Sequence, residues 1–216
     1  MRILIASGGT GGHFYPGYSA AQELKKSGAE ILFVLRSGDP AGRVLQEECL
    51  PFAGVDLVGF PRSLNPLAHL RFAWKLLSAL LAARRVIKDW RPDAVLGTGG
   101  YISFPAVFWA ATGGIPAIVH ESNAKPGLAN YILSLMGTHV AAGLPVNGFP
   151  KKTSVTMTGT PIRAFFAVKT DKTAARKELG LEPDKATVLA FGGSGGAIGL
   201  NLALAEGYAA GRRGRP

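Results

Sequence analysis

The chain has 216 residues, 47% of them hydrophobic and 18% charged, enough for a sizeable core in one large or two small domains. A single cysteine, Cys49, excludes a disulfide framework, fits a reducing compartment and reads as an ordinary thiol near a helix end. Lys and Arg total 24 against 14 Asp and Glu, and the net charge of +10 favours anionic partners: nucleic acid, anionic lipid or phosphorylated substrates.

Nucleic acid finds no further support, because zinc-ligand spacing, aromatic RNA-binding signatures and a basic helix-turn-helix pattern are all missing. The first apolar run is too short for a signal peptide, and nowhere do about 18 uninterrupted apolar residues occur to span a membrane. That first run, residues 2–6, reads as a buried parallel strand, and it enters "ASGGTGGHFYPG" at once. A helix over 15–26 follows and stops at Ser27-Gly28. The glycines therefore occupy a strand-to-helix turn, where backbone N–H groups and the helix start attract anions, above all phosphates. A P-loop is disfavoured because His13 stands where its lysine belongs. A dinucleotide fingerprint fails too: Phe14 replaces the last glycine, and the second strand, 30–35, runs into Arg36 instead of an acidic residue. The bland alternative is a glycine turn that only lets the helix pack closely.

Further along, strands are expected at 54–59, 93–97, 115–119, 138–141, 154–158 and 186–191. Helices are expected at 41–48, 66–89, 104–112, 126–136, 171–179 and 197–205. This alternation predicts an α/β doubly wound parallel sheet, whose ligands bind outside the carboxyl ends of the strands. Glycine clusters recur at those ends: Gly8–Gly12, Gly97–Tyr101 and Gly192–Gly196. In the long helical segment, Leu70, Trp74, Leu77 and Leu81 run beside a basic arc of Arg71, Lys75, Ser78 and Arg85. Either these apolar residues are core, or they form an interfacial patch for an anionic bilayer. We divide the chain into a first Rossmann-like domain, 1–163, then a linker with the first strand and helix of a second domain, 164–206. Residues 207–216 form an atypical basic tail with three glycines and three arginines. We expect the tail to be a disordered terminus or the mark of an interrupted natural sequence, because a second sheet of one strand cannot bury its own faces.

Five stretches, "GGTGGHFYPG", "GTGGYISFPA", "HESNAKPGLAN", "GTPIR" and "GGSGGA", appear in the order and spacing of one family. Over residues 1 to about 205 the chain closely resembles the MurG-type N-acetylglucosaminyltransferases of glycosyltransferase family 28. The resemblance implies the GT-B fold, two Rossmann-like domains facing a cleft, with no metal or other cofactor. It implies an inverting transfer of N-acetylglucosamine from UDP-N-acetylglucosamine to the muramoyl 4-hydroxyl of undecaprenyl-pyrophosphoryl-MurNAc-pentapeptide, lipid I to lipid II, in peptidoglycan synthesis. The implied place is peripheral, on the cytoplasmic face of the bacterial inner membrane, against its anionic surface, with other cell-wall synthesis proteins as further partners.

By the same resemblance, the turns carrying Thr10, Gly11, Gly12 and Gly99, Gly100, Tyr101 hold the acceptor diphosphate, the first of them also beside the donor sugar. His13 follows the first turn directly, where an imidazole can accept the proton of the attacking hydroxyl or, as a cation, pair with phosphate, with structural packing as its alternative role. Glu121 is either a base or an orienter of its loop. Asn123 resembles a donor-contacting asparagine, Arg163 the arginine reaching toward UDP, and Ser194 a UDP-contacting serine. Arg163 has a hinge salt bridge as its alternative role. The family usually has Gln where Ser122 stands and Asn where Thr160 stands. Most of the family's donor pocket lies beyond the last residue here, so we expect an inactive or weakly active fragment. The competing readings are a non-catalytic lipid-binding module, a GT-B transferase for another acceptor and, more remotely, an oxidoreductase.

Overall fold

A computed structural model describes residues 1–61, 64–193 and 196–213, with side chains up to residue 209. Residues Met1–Ala167 form one compact unit and the rest a second.

The first unit is built on seven strands, all parallel, in the order β3-β2-β1-β4-β5-β6-β7. They are β1 (Arg2–Ala6), β2 (Glu30–Arg36), β3 (Phe52–Val55), β4 (Ala94–Gly97), β5 (Ala117–Glu121), β6 (His139–Ala142) and β7 (Val155–Met157). Connecting them are α1 (Gly11–Lys26), α2 (Ala41–Glu47), α3 (Pro66–Trp90), α4 (Gly100–Thr112) and α5 (Leu128–Leu135). Continuous apolar strands fit a sheet covered on both faces. Ile3 and Ile5 join Phe33, Leu35 and Leu45 under α1 and α2, whereas Leu4 and Ala6 join Val95, Val107 and Val119 under α3 and α4. The α/β doubly wound reading is correct for this unit.

Most expected elements appear within a few residues of their predicted limits. The third strand lies at Phe52–Val55, earlier than 54–59, because it pairs with β2 from Phe33↔Phe52 onward. Both glycine turns are shorter than expected. The first helix opens at Gly11 and the fourth at Gly100, so Pro16 and Pro105 lie inside helices, where each removes one N–H from the helical ladder.

In the second unit, α6 (Lys172–Glu178) forms as expected, capped by Asp171, which accepts from the Thr173 and Ala174 N–H groups. Residues 186–191 form no strand, correcting the expectation. Val188, Leu189 and Phe191 are exposed, and no neighbouring strand among the described residues offers the ladder that a parallel strand requires. The last helix, α7 (Ile198–Arg213), continues past 205 into the expected basic tail, since Ala209-Ala210 and the arginines are helix formers.

Candidate active site

In this strand order the chain reverses direction of travel between β1 and β4, and such a switch point is where open parallel sheets bind ligands. Both strands end there in glycine turns, and both turns lead directly into helices. The first N–H groups of α1 and α4 have no intrahelical acceptor, and both helix dipoles point their positive ends at the same crevice. The crevice can therefore hold an anion between two sets of backbone donors.

His13, in the first turn of α1, reaches across to β4. Its Nδ1 lies 3.1 Å from the Thr98 carbonyl, while Thr98 Oγ1 donates back to the His13 carbonyl at 2.8 Å. Ser7 Oγ donates to the same His13 carbonyl at 3.0 Å. A carbonyl can only accept, so the neutral ring carries its proton on Nδ1 and leaves the Nε2 lone pair free. Gly99 and Gly100 make room for this ring. A Cβ on Gly99 would meet His13 Nδ1 at 2.9 Å, and both glycines have positive φ, 94° and 72°.

Two clefts flank the imidazole. The larger, about 420 Å³, is bordered by Gly8, Gly9, Thr10, His13, Gly100 and Tyr101, with Arg36 on its far side. The smaller, about 150 Å³, is bordered by His13, Gly99, Gly100, Tyr101, Glu121 and Asn123. Thus His13, Thr10, Gly99, Gly100, Tyr101, Glu121 and Asn123 converge on one region, with Gly11 and Gly12 heading the helix that carries His13.

Glu121 ends β5 with 2% exposure, and its carboxylate accepts four hydrogen bonds. Oε1 takes the Asn123 backbone N–H at 3.0 Å and its Nδ2 at 2.8 Å. Oε2 takes the Gly127 N–H at 2.8 Å and Asn130 Nδ2 at 2.9 Å. These bonds fold residues 121–130 back over the end of β5 and fix the Asn123 amide at the cleft. Next to it, His120 is buried and burial lowers its pKa from the ordinary imidazole value. The Gly159 backbone pulls the other way, without a hydrogen bond of normal geometry to either ring nitrogen.

Arg163 lies outside this convergence. Its guanidinium stacks at 4.3 Å on Tyr15 and 4.8 Å on Phe166. Ser194 lies outside the described residues.

Three contributors escaped the sequence reading. Thr98 holds His13, Asn130 holds Glu121, and Asp39 accepts the Gly9 N–H at 2.6 Å and the Ala41 N–H at 3.0 Å. Arg36, which borders the larger cleft, is a fourth contributor and did have a visible signal, its place at the end of the second strand.

On α3, Leu70, Trp74, Leu77 and Leu81 are 69%, 70%, 50% and 50% exposed, so they are not core. Only Ala79 and Ala83 of that helix are buried. Arg71, Arg84, Arg85 and Lys88 are exposed along it, whereas Lys75, expected in the basic arc, is paired with Asp56. No helix among the described residues is long and apolar enough to cross a membrane.

Residues 3–142 match the glycosyltransferase family 28 N-terminal domain. A UDP-N-acetylglucosamine--N-acetylmuramyl-(pentapeptide) pyrophosphoryl-undecaprenol N-acetylglucosamine transferase of Elusimicrobium minutum is 42% identical over 205 residues, 95% of this chain and 56% of that protein. The protein of the same name from Listeria monocytogenes is 39% identical over 208 residues, 94% of this chain and 56% of its own length. The crystal structure of Acinetobacter baumannii MurG superposes with a TM-score of 0.63 at 31% identity, covering 79% of this chain and 50% of that one. The chain spans about half the length of the curated relatives it matches.

Proposed function

The chain belongs to glycosyltransferase family 28, and from that premise we propose that it forms the acceptor side of a transferase moving N-acetylglucosamine from UDP to a muramoyl sugar on pyrophosphoryl-undecaprenol. The observation that carries this reading is the convergence of two helix N-termini on His13 at the switch point. The N–H groups of the two glycine turns hold the acceptor diphosphate, and Thr10 and Tyr101 border it. The sugar 4-hydroxyl loses its proton to Nε2 of His13 as its oxygen attacks the anomeric carbon; the bond to UDP breaks and UDP departs with the electron pair. Thr98 keeps the ring in the tautomer that can accept this proton. Glu121, its oxygens already occupied, acts as a positioning residue that sets Asn123 toward the sugar. Arg163, on its Tyr15 platform, and Ser194 serve the UDP side. A bilayer seat for the acceptor's lipid is supported by the exposed apolar stripe of α3 and its flanking cations.

The test measures binding of a lipid I analogue and transfer from labelled UDP-N-acetylglucosamine on the same folded sample. The expected result is saturable acceptor binding, lost on raising salt, with little or no disaccharide formed by this chain alone. Turnover near that of an intact relative would overturn the half-site reading, and failure to bind the acceptor would overturn the function. The competing non-catalytic module would show the same binding, but adding a separately produced donor domain would never restore transfer.

A further inference from the structure

A third cavity, about 140 Å³, lies between α3, α4 and α5, and nothing in the transfer reaction uses it. Leu57, Phe60, Phe72, Leu76, Phe104 and Ile132 line it, with Tyr101 as the one lining side chain that carries a polar group. Phe60 and Phe72 stand edge to face at 5.2 Å, and Phe72 meets Tyr101 at 6.3 Å, giving one aromatic wall. Apolar cavities of this size stay dry and accept a six-carbon ring, so the space suits roughly one five-carbon unit, with a second at its exposed rim.

Its position narrows the occupant. Tyr101 borders this cavity and both clefts beside His13, and Leu57 borders it and the larger cleft. Phe72 and Leu76 belong to the same helix as the exposed Leu70–Leu81 stripe. A molecule with a diphosphate on the glycine turns and a hydrocarbon on its next atoms meets Tyr101 first and this cavity second. A peptide side chain would fill the space as well, but among the described lining side chains its backbone would find only the Tyr101 hydroxyl as a hydrogen-bond partner. We propose that this cavity seats the isoprene units next to the diphosphate of a polyprenyl acceptor, fixing the acceptor's register before its chain passes to the bilayer. The inference rests on the acceptor reading above.

Calorimetric titration of the full chain with inorganic pyrophosphate and with prenyl diphosphates of five, ten and fifteen carbons tests it. Affinity should rise about 10- to 100-fold from pyrophosphate to the ten-carbon ligand, then level off. Ile132→Trp, which fills the cavity from a partly exposed position, and Phe60→Ser, which opens its wall, should each remove most of that gain and leave pyrophosphate binding unchanged. Equal affinity across the series overturns the proposal, as does a gain that survives both substitutions and disappears instead with Trp74→Ser on the α3 stripe. If prenyl diphosphates show the cavity-dependent gain while pyrophosphate alone does not bind, the cavity stands and the phosphate-turn reading falls. If no ligand binds, both fall.

Discussion

Replacing Glu121 by Gln keeps the shape of the side chain and removes half of what it does. The carboxylate accepts from four donors, two on each oxygen, and the side chain is almost wholly buried. An amide keeps one accepting oxygen and turns an NH₂ toward the other pair of donors. The lower-cost arrangement leaves the oxygen on Gly127 and Asn130 and sets the NH₂ against Asn123, whose exposed side chain can turn to water. Two hydrogen bonds to a charged acceptor are then lost, each contributing about 1.5–3 kcal/mol. Relief of the buried charge and rehydration of Asn123 offset part of this, leaving a cost of about 2–4 kcal/mol. Urea unfolding at pH 7.5 should show the midpoint falling with an unchanged slope. In a unit of this size the melting temperature should drop by roughly 4–16 °C. A loss under about 1 kcal/mol would refute the cradle and return Glu121 to the role of a base.

Other perturbations probe the same frame. Gly99→Ala forces a Cβ against His13 and puts alanine at a φ of 94°, which should cost about 1–3 kcal/mol and weaken pyrophosphate binding in the same titration. His120 has a pKa lowered by burial, so the unfolded chain binds its proton first as pH falls. Stability is therefore full above the ordinary imidazole pKa and declines as pH falls from there toward the lowered one; His120→Gln should flatten the denaturation midpoint measured between pH 7.5 and 5. Trp74→Ser should reduce sedimentation with anionic vesicles about tenfold, and raised salt should weaken the wild type further; no change in either would remove α3 from the membrane seat. Asp39→Asn removes a negative charge from the Gly9 N–H and should tighten pyrophosphate binding several-fold at low salt, roughly 1 kcal/mol at a partly solvated site, whereas weaker binding would make that carboxylate a needed support of the turn.

How much of this was legible in the sequence follows the range of the interactions. Strand and helix signals are local, and so are the glycine turns: a run such as Gly97-Thr98-Gly99-Gly100 announces positive φ and a helix start whatever surrounds it. The stripe on α3 was legible as a pattern but not as a surface, because the same spacing serves a core, and only packing that buries Ala79 and Ala83 alone decides between them. The strand expected at 186–191 failed for the converse reason: local propensity was present and, among the described residues, a partner strand was not. His13 shows the limit most clearly. Its position after a glycine turn suggested proton or phosphate handling, yet the choice of nitrogen rests on Thr98, 85 residues away. No local pattern links the two. They meet because β1 pairs with β4, Ala6 beside Gly97, and not with a strand nearer in sequence on that side. That pairing turns two separate anion-seeking turns into one crevice with a histidine held between them, and the chemistry proposed for the chain depends on the pairing as much as on the residues.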